Sequence, residues 1–371
     1  MSWRPDIIIF NQQIMKNSTE NKAMENVAFY RKYRPQKFAD VLGQEQVVSV
    51  IENSLKSESM VHAYLFAGSR GTGKTSVARI LAHELGTSTN DLYEIDAASN
   101  RGIDDVRALK ESVQSLPFDS KYKVYIIDEV HMLTKEAFNA LLKTLEEPPK
   151  YVIFILATTE IEKLPETVVS RCQVFQFKKP SIETLRGVIE KIVKSEGYKI
   201  EKSAGELIAL LGEGSFRDTQ GILQKIVGLS SDKEITRAEV EKITGAPKTE
   251  LVRDFISAIA THDLERGLSA VGNTGKENRD MKVYTKLVLR QLRAALLLKY
   301  APAGAGSLLS DFDEDEKKFL NTLIKENGKN ITSGVLIELL TAYQLLDYSY
   351  IPELPLELAL IKIVGQDKGA V

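Results

Sequence analysis

Apolar residues recur along this chain with two periods, and the places where each holds divide it into segments. Phe138, Leu141, Leu142 and Leu145 stand at the i, i+3, i+4, i+7 spacing of one helix face. Residues 44–57, 75–86, 103–115 and 134–146 all carry helical spacing. Between them lie short unbroken apolar runs, Tyr64–Ala67, Val124–Ile127 and Val152–Ala157, with the length and composition of strands buried on both faces. Strands alternating with helices predict a doubly wound parallel α/β sheet. From Ser181 onward the strand signals vanish. Ser203 with Glu206, and Thr236 with Glu239, have the spacing of a capping box at a helix start. Gly245-Ala246-Pro247 reads as a hinge into a third segment, residues 248–368, which is again helical in pattern. A loop at Ala301–Ser307 and an acidic run at Asp311–Glu316 interrupt it. There is no internal repeat.

Between the first apolar run and the helix at 75–86 sits the octapeptide Gly68-Ser69-Arg70-Gly71-Thr72-Gly73-Lys74-Thr75, followed by Ser76. A strand, a glycine-rich turn ending in Gly-Lys-Thr, and a helix form the context of a phosphate-binding loop. Glycines at 68, 71 and 73 permit backbone angles closed to other residues, so successive N–H groups can converge on phosphate oxygens. The helix N-terminus adds its positive dipole end. Lys74 is then expected to reach the β/γ-phosphates of ATP, and the Thr75 hydroxyl to hold magnesium.

About fifty residues on, the run Val124-Tyr125-Ile126-Ile127 ends in Asp128-Glu129. Ligands of such sheets sit at the carboxyl ends of strands. Asp128 is expected to bind magnesium through water, and Glu129 to polarise the water that attacks the γ-phosphate. His131 reads as a packing or hydrogen-bonding residue. Thr159 follows the Val152–Ala157 run; a hydroxyl there can sense the γ-phosphate, though threonine ends many strands without a function. Arg171, between a short helical stretch (Glu166–Val169) and the alternation Val174, Phe175, Phe177, is a candidate arginine finger, though by itself it reads more readily as a surface salt-bridge arginine. Arg217, in Gly214-Ser215-Phe216-Arg217-Asp218, either touches the γ-phosphate or simply opens a helix. Cys172 reads as a small buried hydrophobe.

With 371 residues the chain can form two or three domains. A hydrophobic content of 43% and a formal charge of -2 fit a globular protein and exclude wholesale basicity as its means of holding nucleic acid. Its one cysteine rules out an intrachain disulfide and suits a reducing cytoplasm. No apolar stretch approaches the ~18–20 residues of a membrane span, so no membrane partner is expected. Ile7–Phe10 is too short for the apolar core of a signal peptide. Residues 1–23, rich in Asn, Gln and Ser without a sustained period, read as a disordered extension.

Taken in order, these elements resemble AAA+ ATPases, and more narrowly the γ/τ family of bacterial DNA polymerase III subunits, the motors of sliding-clamp loaders. The likeness is carried by Tyr33-Arg34-Pro35 through Phe38–Gln44, the phosphate loop, Glu94–Asn100 (EIDAASN) and Ile126–Leu133. The run Phe138–Pro149 (FNALLKTLEEPP), Ala157-Thr158-Thr159, Ser170-Arg171-Cys172 and Gly214–Asp218 complete it. It is strong over residues 27–245 and weaker beyond. The resemblance implies an AAA+ nucleotide-binding domain at 24–180, a helical lid at 181–245 and a helical collar for oligomerisation at 246–371. It places Tyr33, Arg34, Pro35, Val41 and Leu42 around adenine, Thr159 at sensor 1, Arg171 as a finger acting on a neighbouring subunit, and Arg217 at sensor 2. Asn100, Arg101 and the helix at 103–115 would face DNA, and Lys143 a subunit boundary. The implied partners are δ- and δ′-type subunits and copies of itself in a pentamer, a sliding clamp, and primer–template DNA, in a cytoplasmic, nucleoid-associated setting.

Two features depart from the family. Only Thr87–Leu92 separates the helix after the phosphate loop from Tyr93-Glu94, without the usual four-cysteine module, so no zinc is expected. The sequence ends at Val371 and so resembles the short γ form. Lys282, Lys286, Arg290 and Arg293 fall on one helix as a solvated face or a partner contact. A non-hydrolysing stator subunit and another AAA+ DNA-remodelling ATPase, such as a Holliday-junction motor, are the rival expectations.

Overall fold

The computed structural model describes residues 27–365 apart from 101, 231, 303–311 and 313. The expected N-terminal extension, Arg101, the Ala301–Ser307 loop beyond residue 302 and part of the acidic run lie outside the described residues. The chain divides into two compact units, the first Met1–Leu185 with Gly212–Gly221 and the second Arg186–Leu211 with Ile222–Val371.

In the first unit, β1 (Ala63–Ala67), β2 (Leu92–Asp96), β3 (Lys123–Asp128), β4 (Val152–Thr158) and β5 (Gln173–Gln176) form one sheet in the order β2-β3-β4-β1-β5. Every pairing is parallel. The three expected apolar runs become the three inner strands, and alternate residues of each face opposite layers. Tyr64, Phe66, Val124, Ile126, Ile153 and Ile155 pack with α1 (Glu45–Lys56) and α2 (Lys74–Glu84). Leu65, Tyr125, Ile127, Phe154 and Leu156 pack with α3 (Ile103–Val113) and α4 (Lys135–Glu146). Helices on both faces explain why these strands read as unbroken apolar runs rather than alternating ones. The stripe of Phe138, Leu141 and Leu145 is buried in the second of these layers. Cys172 is half-buried against the same layer, where burial pushes its thiol up to about 11, so it packs as a hydrophobe.

Two helices continue from one unit into the other, α5 (Ile182–Ser195) and α7 (Phe216–Leu229). The second unit adds α6 (Lys202–Leu211), α8 (Arg237–Thr244), α9 (Thr249–Thr261), α10 (Leu264–Lys276), α11 (Met281–Tyr300), α12 (Glu314–Asn327), α13 (Ser333–Leu345) and α14 (Leu354–Gly365). The Thr236–Glu239 capping box forms at the start of α8, the Glu239 N–H donating to Thr236 Oγ1 at 3.3 Å and the Thr236 N–H to Glu239 Oε2 at 3.0 Å. Gly245 ends that helix at φ 73°, a left-handed cap. The Ser203 expectation is corrected. α6 begins at Lys202, so Ser203 lies inside the helix, and Glu206 is buried as the ion-pair partner of Arg290. A further correction is a parallel two-residue pair, β6 (Lys199–Ile200) with β7 (Glu234–Ile235), too short to leave a periodic signal. Of the basic row on α11, Arg290 also stacks on Phe312, Lys282 pairs with Asp347 and Lys286 lies over Tyr343, so these three serve packing within the unit. Among the described residues no helix is long and apolar enough to cross a membrane.

Candidate nucleotide site

The phosphate loop runs from the buried end of β1 into α2. Gly68, Gly71 and Gly73 have φ of 151°, 74° and 103°. A Cβ on Gly68 would lie 2.5 Å from Phe177 O, and one on Gly71 1.9 Å from Ser215 Oγ. Those two glycines are required by close approach as well as by angle. A Cβ on Gly73 would meet nothing within 4 Å, so this glycine is required by its angle alone. Ser69 Oγ is buried without a hydrogen-bond partner, a polar atom left for a ligand.

Lys74 is 6% exposed, and its Nζ donates to Gly68 O at 2.7 Å and Ser69 O at 3.0 Å, folded back over its own loop. Burial lowers its pKa, while Glu129 and Asp128 oppose that shift and Arg217 adds to it. A cation held part-desolvated among two carboxylates is poised for an anion. Thr75 Oγ1 donates to Asp128 Oδ2 at 2.8 Å, which joins the start of α2 to the end of β3. One hydroxyl and one carboxylate side by side are hard oxygen donors that suit magnesium with several retained waters. The residues fit the group.

Glu129 follows directly, at φ 50°, before the single turn Val130–Met132. Its Oε2 accepts the Thr159 hydroxyl at 3.0 Å, so the expected base and the expected sensor meet across the ends of β3 and β4. Arg217 reaches the same place by another route. Phe216 N–H donates to Gly71 O at 2.9 Å, fixing the start of α7 to the loop, and the Arg217 guanidinium lies 5.5 Å from the Tyr30 ring centre.

Of the residues expected around adenine, Tyr33, Arg34 and Pro35 are half-buried, Val41 packs against the core, and Leu42 is 42% exposed. Arg70 is exposed, Thr72 is buried with its hydroxyl on Ser69 O at 2.9 Å, and Ser76 is half-buried. The sequence alone assigns no role to three further residues. Tyr30 stacks with Arg217. Buried Gln44 joins three segments, its amide donating to Lys178 O at 2.7 Å and Thr72 O at 3.4 Å while Lys178 N–H donates back at 3.1 Å. Glu146 pairs with Arg171 Nη2, whose Nη1 donates to Thr167 O at 2.6 Å. Within this chain the expected finger is therefore tied to its own helix α4. Asn100 is exposed and donates to Asp96 O at 3.0 Å, and Lys143 is exposed on α4.

Sheet order, phosphate loop, strand-end carboxylates and an arginine at the start of α7 together define a P-loop AAA+ protein. A solved structure of the same fold is the Thermotoga maritima RuvB Holliday junction branch migration motor, with a TM-score of 0.50 and 23% identity over 61% of this chain and 79% of that one. That likeness concerns the fold alone. Residues 43–100 and 86–181 match the family model described as DNA polymerase III, delta subunit. The chain is 36% identical to DNA polymerase III subunit tau of Bacillus subtilis over 92% of its own length and 63% of that protein. It is 35% identical to the tau subunit of Escherichia coli K12 over 79% of the chain and 49% of the relative. Against the gamma/tau subunit of Mycoplasma pneumoniae identity is 40% over 66% of the chain and 39% of the relative. By sequence the chain is similar to the gamma/tau subunits of DNA polymerase III, and it spans between about two fifths and two thirds of the length of these relatives.

Proposed function

We propose that this chain is an ATP-hydrolysing motor subunit of a sliding-clamp loader. The observation that carries this is the Lys74–Thr75–Asp128–Glu129–Thr159 constellation, complete in one chain and held at the ends of three adjacent strands. Lys74 and the loop N–H groups bind the triphosphate, while Thr75 and Asp128 hold magnesium, which neutralises phosphate charge. Glu129 takes the proton of the attacking water, and Thr159 aims that carboxylate. This is positioning plus electrostatics, the usual basis of phosphoryl transfer. Arg171 acts on the nucleotide of the neighbouring subunit and must first leave Glu146, which gives assembly control over hydrolysis.

Two surfaces support partners. On α13 and α14, Ile337, Leu340, Leu345, Leu358 and Ile361 are exposed, with Tyr348 and Tyr350 between the helices almost fully so. Apolar exposure of this kind marks an interface, here the collar of a pentamer with δ- and δ′-type subunits. On the first unit, Leu116 and Phe118 are 76% and 80% exposed. The buried Asp91 carboxylate holds their loop by accepting N–H bonds from Phe118, Asp119 and Ser120 at 2.6, 2.9 and 2.9 Å. A rigid loop presenting two apolar side chains suits a grip on the clamp. The helical lid and collar, DNA contact through Asn100 and Arg101, and nucleoid association belong to the same proposal.

A stator would have no use for Gly73-Lys74-Thr75 together with Asp128-Glu129, so the complete site argues against that alternative. The test is capture of the sliding clamp by the reconstituted assembly in ATP and in ADP. Tighter capture in ATP is expected; equal capture in both would refute a loader and favour a different AAA+ motor.

A further inference from the structure

The turn after Glu129 is tied to the end of β4 by a side chain to which the proposed mechanism gives no role. His131 is 7% exposed. Its Nδ1 lies 3.0 Å from Thr158 Oγ1 and 3.5 Å from Glu129 Oε2, and its Nε2 lies 3.0 Å from Glu160 Oε2. The Thr158 oxygen already accepts the Glu160 N–H at 3.0 Å, and Glu160 also meets Lys163 at 2.8 Å. Nε2 thus faces one carboxylate, and Nδ1 faces the Thr158 hydroxyl with the Glu129 carboxylate beside it. The ring is thereby fixed at both nitrogens.

Beyond Asp128 and Thr158 the two strands have no ladder bonds left to hold them in step. The residues that matter, Glu129 and Thr159, are the first ones past those ends. Glu129 also sits at φ 50°, a left-handed angle that a non-glycine residue keeps only when its surroundings impose it. We infer that His131 is a positioning residue for ATP hydrolysis: by bridging Thr158 and Glu160 it fixes the turn that carries Glu129 and so keeps the carboxylate aimed at Thr159 and the attacking water. The inference rests on the role proposed for Glu129. His131 is not among the residues proposed to bind nucleotide or magnesium. Its loss therefore falls on the chemical step and leaves binding unchanged, because a small misplacement of a catalytic group is costly in rate alone.

The test measures ATP hydrolysis by the assembly reconstituted with primed DNA and clamp, alongside affinity for a fluorescent ATP analogue. His131→Ala is expected to lower kcat on the order of ten- to a hundredfold, with KM and analogue affinity within about twofold of the unaltered protein. His131→Asn, whose amide occupies the place of Nδ1, should recover much of that rate. Thr158→Val, which removes the hydroxyl while keeping the shape, should slow hydrolysis too. The double variant His131→Ala with Thr158→Val should be no slower than the slower single one. Thr158→Val keeps the shape of the side chain it replaces, so the test does not depend on His131→Ala folding. A normal kcat in His131→Ala, a parallel loss of affinity, or multiplicative effects in the double variant would each overturn the inference. Glu129→Gln separates the two levels. If it is inactive while His131→Ala is normal, only His131 loses its role; if it hydrolyses normally, the role of Glu129 falls as well.

Discussion

Replacing Gly71 by alanine tests how tightly the phosphate loop is fixed to the start of α7. The new Cβ would lie 1.9 Å from Ser215 Oγ, 2.8 Å from its Cβ and 3.2 Å from its Cα, at a backbone φ of 74°. The left-handed angle costs a non-glycine residue ~1–2 kcal/mol, and forced overpacking adds ~1–3 kcal/mol. Within the combined range of ~2–5 kcal/mol, a cost of about 3 kcal/mol corresponds to roughly a hundredfold in an opening equilibrium. The contact carries its own reporter, because the Phe216 N–H is bonded to Gly71 O. Hydrogen exchange at that amide should speed up about a hundredfold in Gly71→Ala, and affinity for ATP should fall with it. Ser215→Gly alone should cost only a few tenths of a kcal/mol, since glycine is tolerated at a helix N-cap. Combined with Gly71→Ala it removes both of the closest contacts and leaves about the ~1–2 kcal/mol of backbone strain. Protection should then recover by about tenfold or more. If exchange at Phe216 in Gly71→Ala stays near the unaltered value, or if Ser215→Gly recovers nothing, the loop is not held against α7 in this way.

Arg171→Ala should bind ATP normally in the assembly and hydrolyse it on the order of a thousandfold more slowly, whereas lost affinity at a normal rate would exclude a finger. The lowered pKa of Lys74 fixes a sign: bound triphosphate raises it again, so nucleotide binding takes up protons near and above the pKa of the free site. Affinity should therefore fall as pH rises through that pKa, and calorimetry in buffers of different ionisation heat should show the uptake; proton release would contradict the arrangement. For Asp91 the sign is opposite. Burial works against the charge, but the N–H bonds from Phe118, Asp119 and Ser120 together with the Ser120 side chain win and hold the carboxyl below its usual range. The stability it contributes is present above the unfolded pKa and is lost as pH falls through the folded one. Asp91→Ala should flatten acid unfolding and loosen clamp binding; an unchanged acid profile would show that the loop is held by other means. Leu358→Asp on the exposed face of α14 should block assembly while leaving ATP binding by the single chain intact, and normal assembly would remove that face from the collar.

Much of the motor unit is legible in the sequence because its signals are local. Tyr64–Ala67, Val124–Ile127 and Val152–Ala157 announce buried strands by composition, and Gly68–Thr75 fixes a loop whose neighbours in sequence are its neighbours in space. Thr159 and Arg217 are legible only as alternatives, because what decides them is a partner far along the chain: Glu129 for the first, Gly71 and Tyr30 for the second. Gln44 escapes notice for the same reason, since its strongest bond is to a carbonyl 134 residues away. Arg290 and Lys282 read as solvated charges because spacing along a helix does not show that Glu206 or Asp347 will face it. The strands β6 and β7 are invisible at two residues each.

The most direct test is the rate of ATP hydrolysis by the reconstituted assembly, with and without primed DNA plus clamp, for the unaltered chain and for Lys74→Ala. The unaltered assembly should hydrolyse ATP faster when both are present, and Lys74→Ala should assemble yet neither bind nor hydrolyse ATP. An unaltered assembly that takes up no nucleotide, or a Lys74→Ala assembly that is equally active, would contradict a motor built on this cradle.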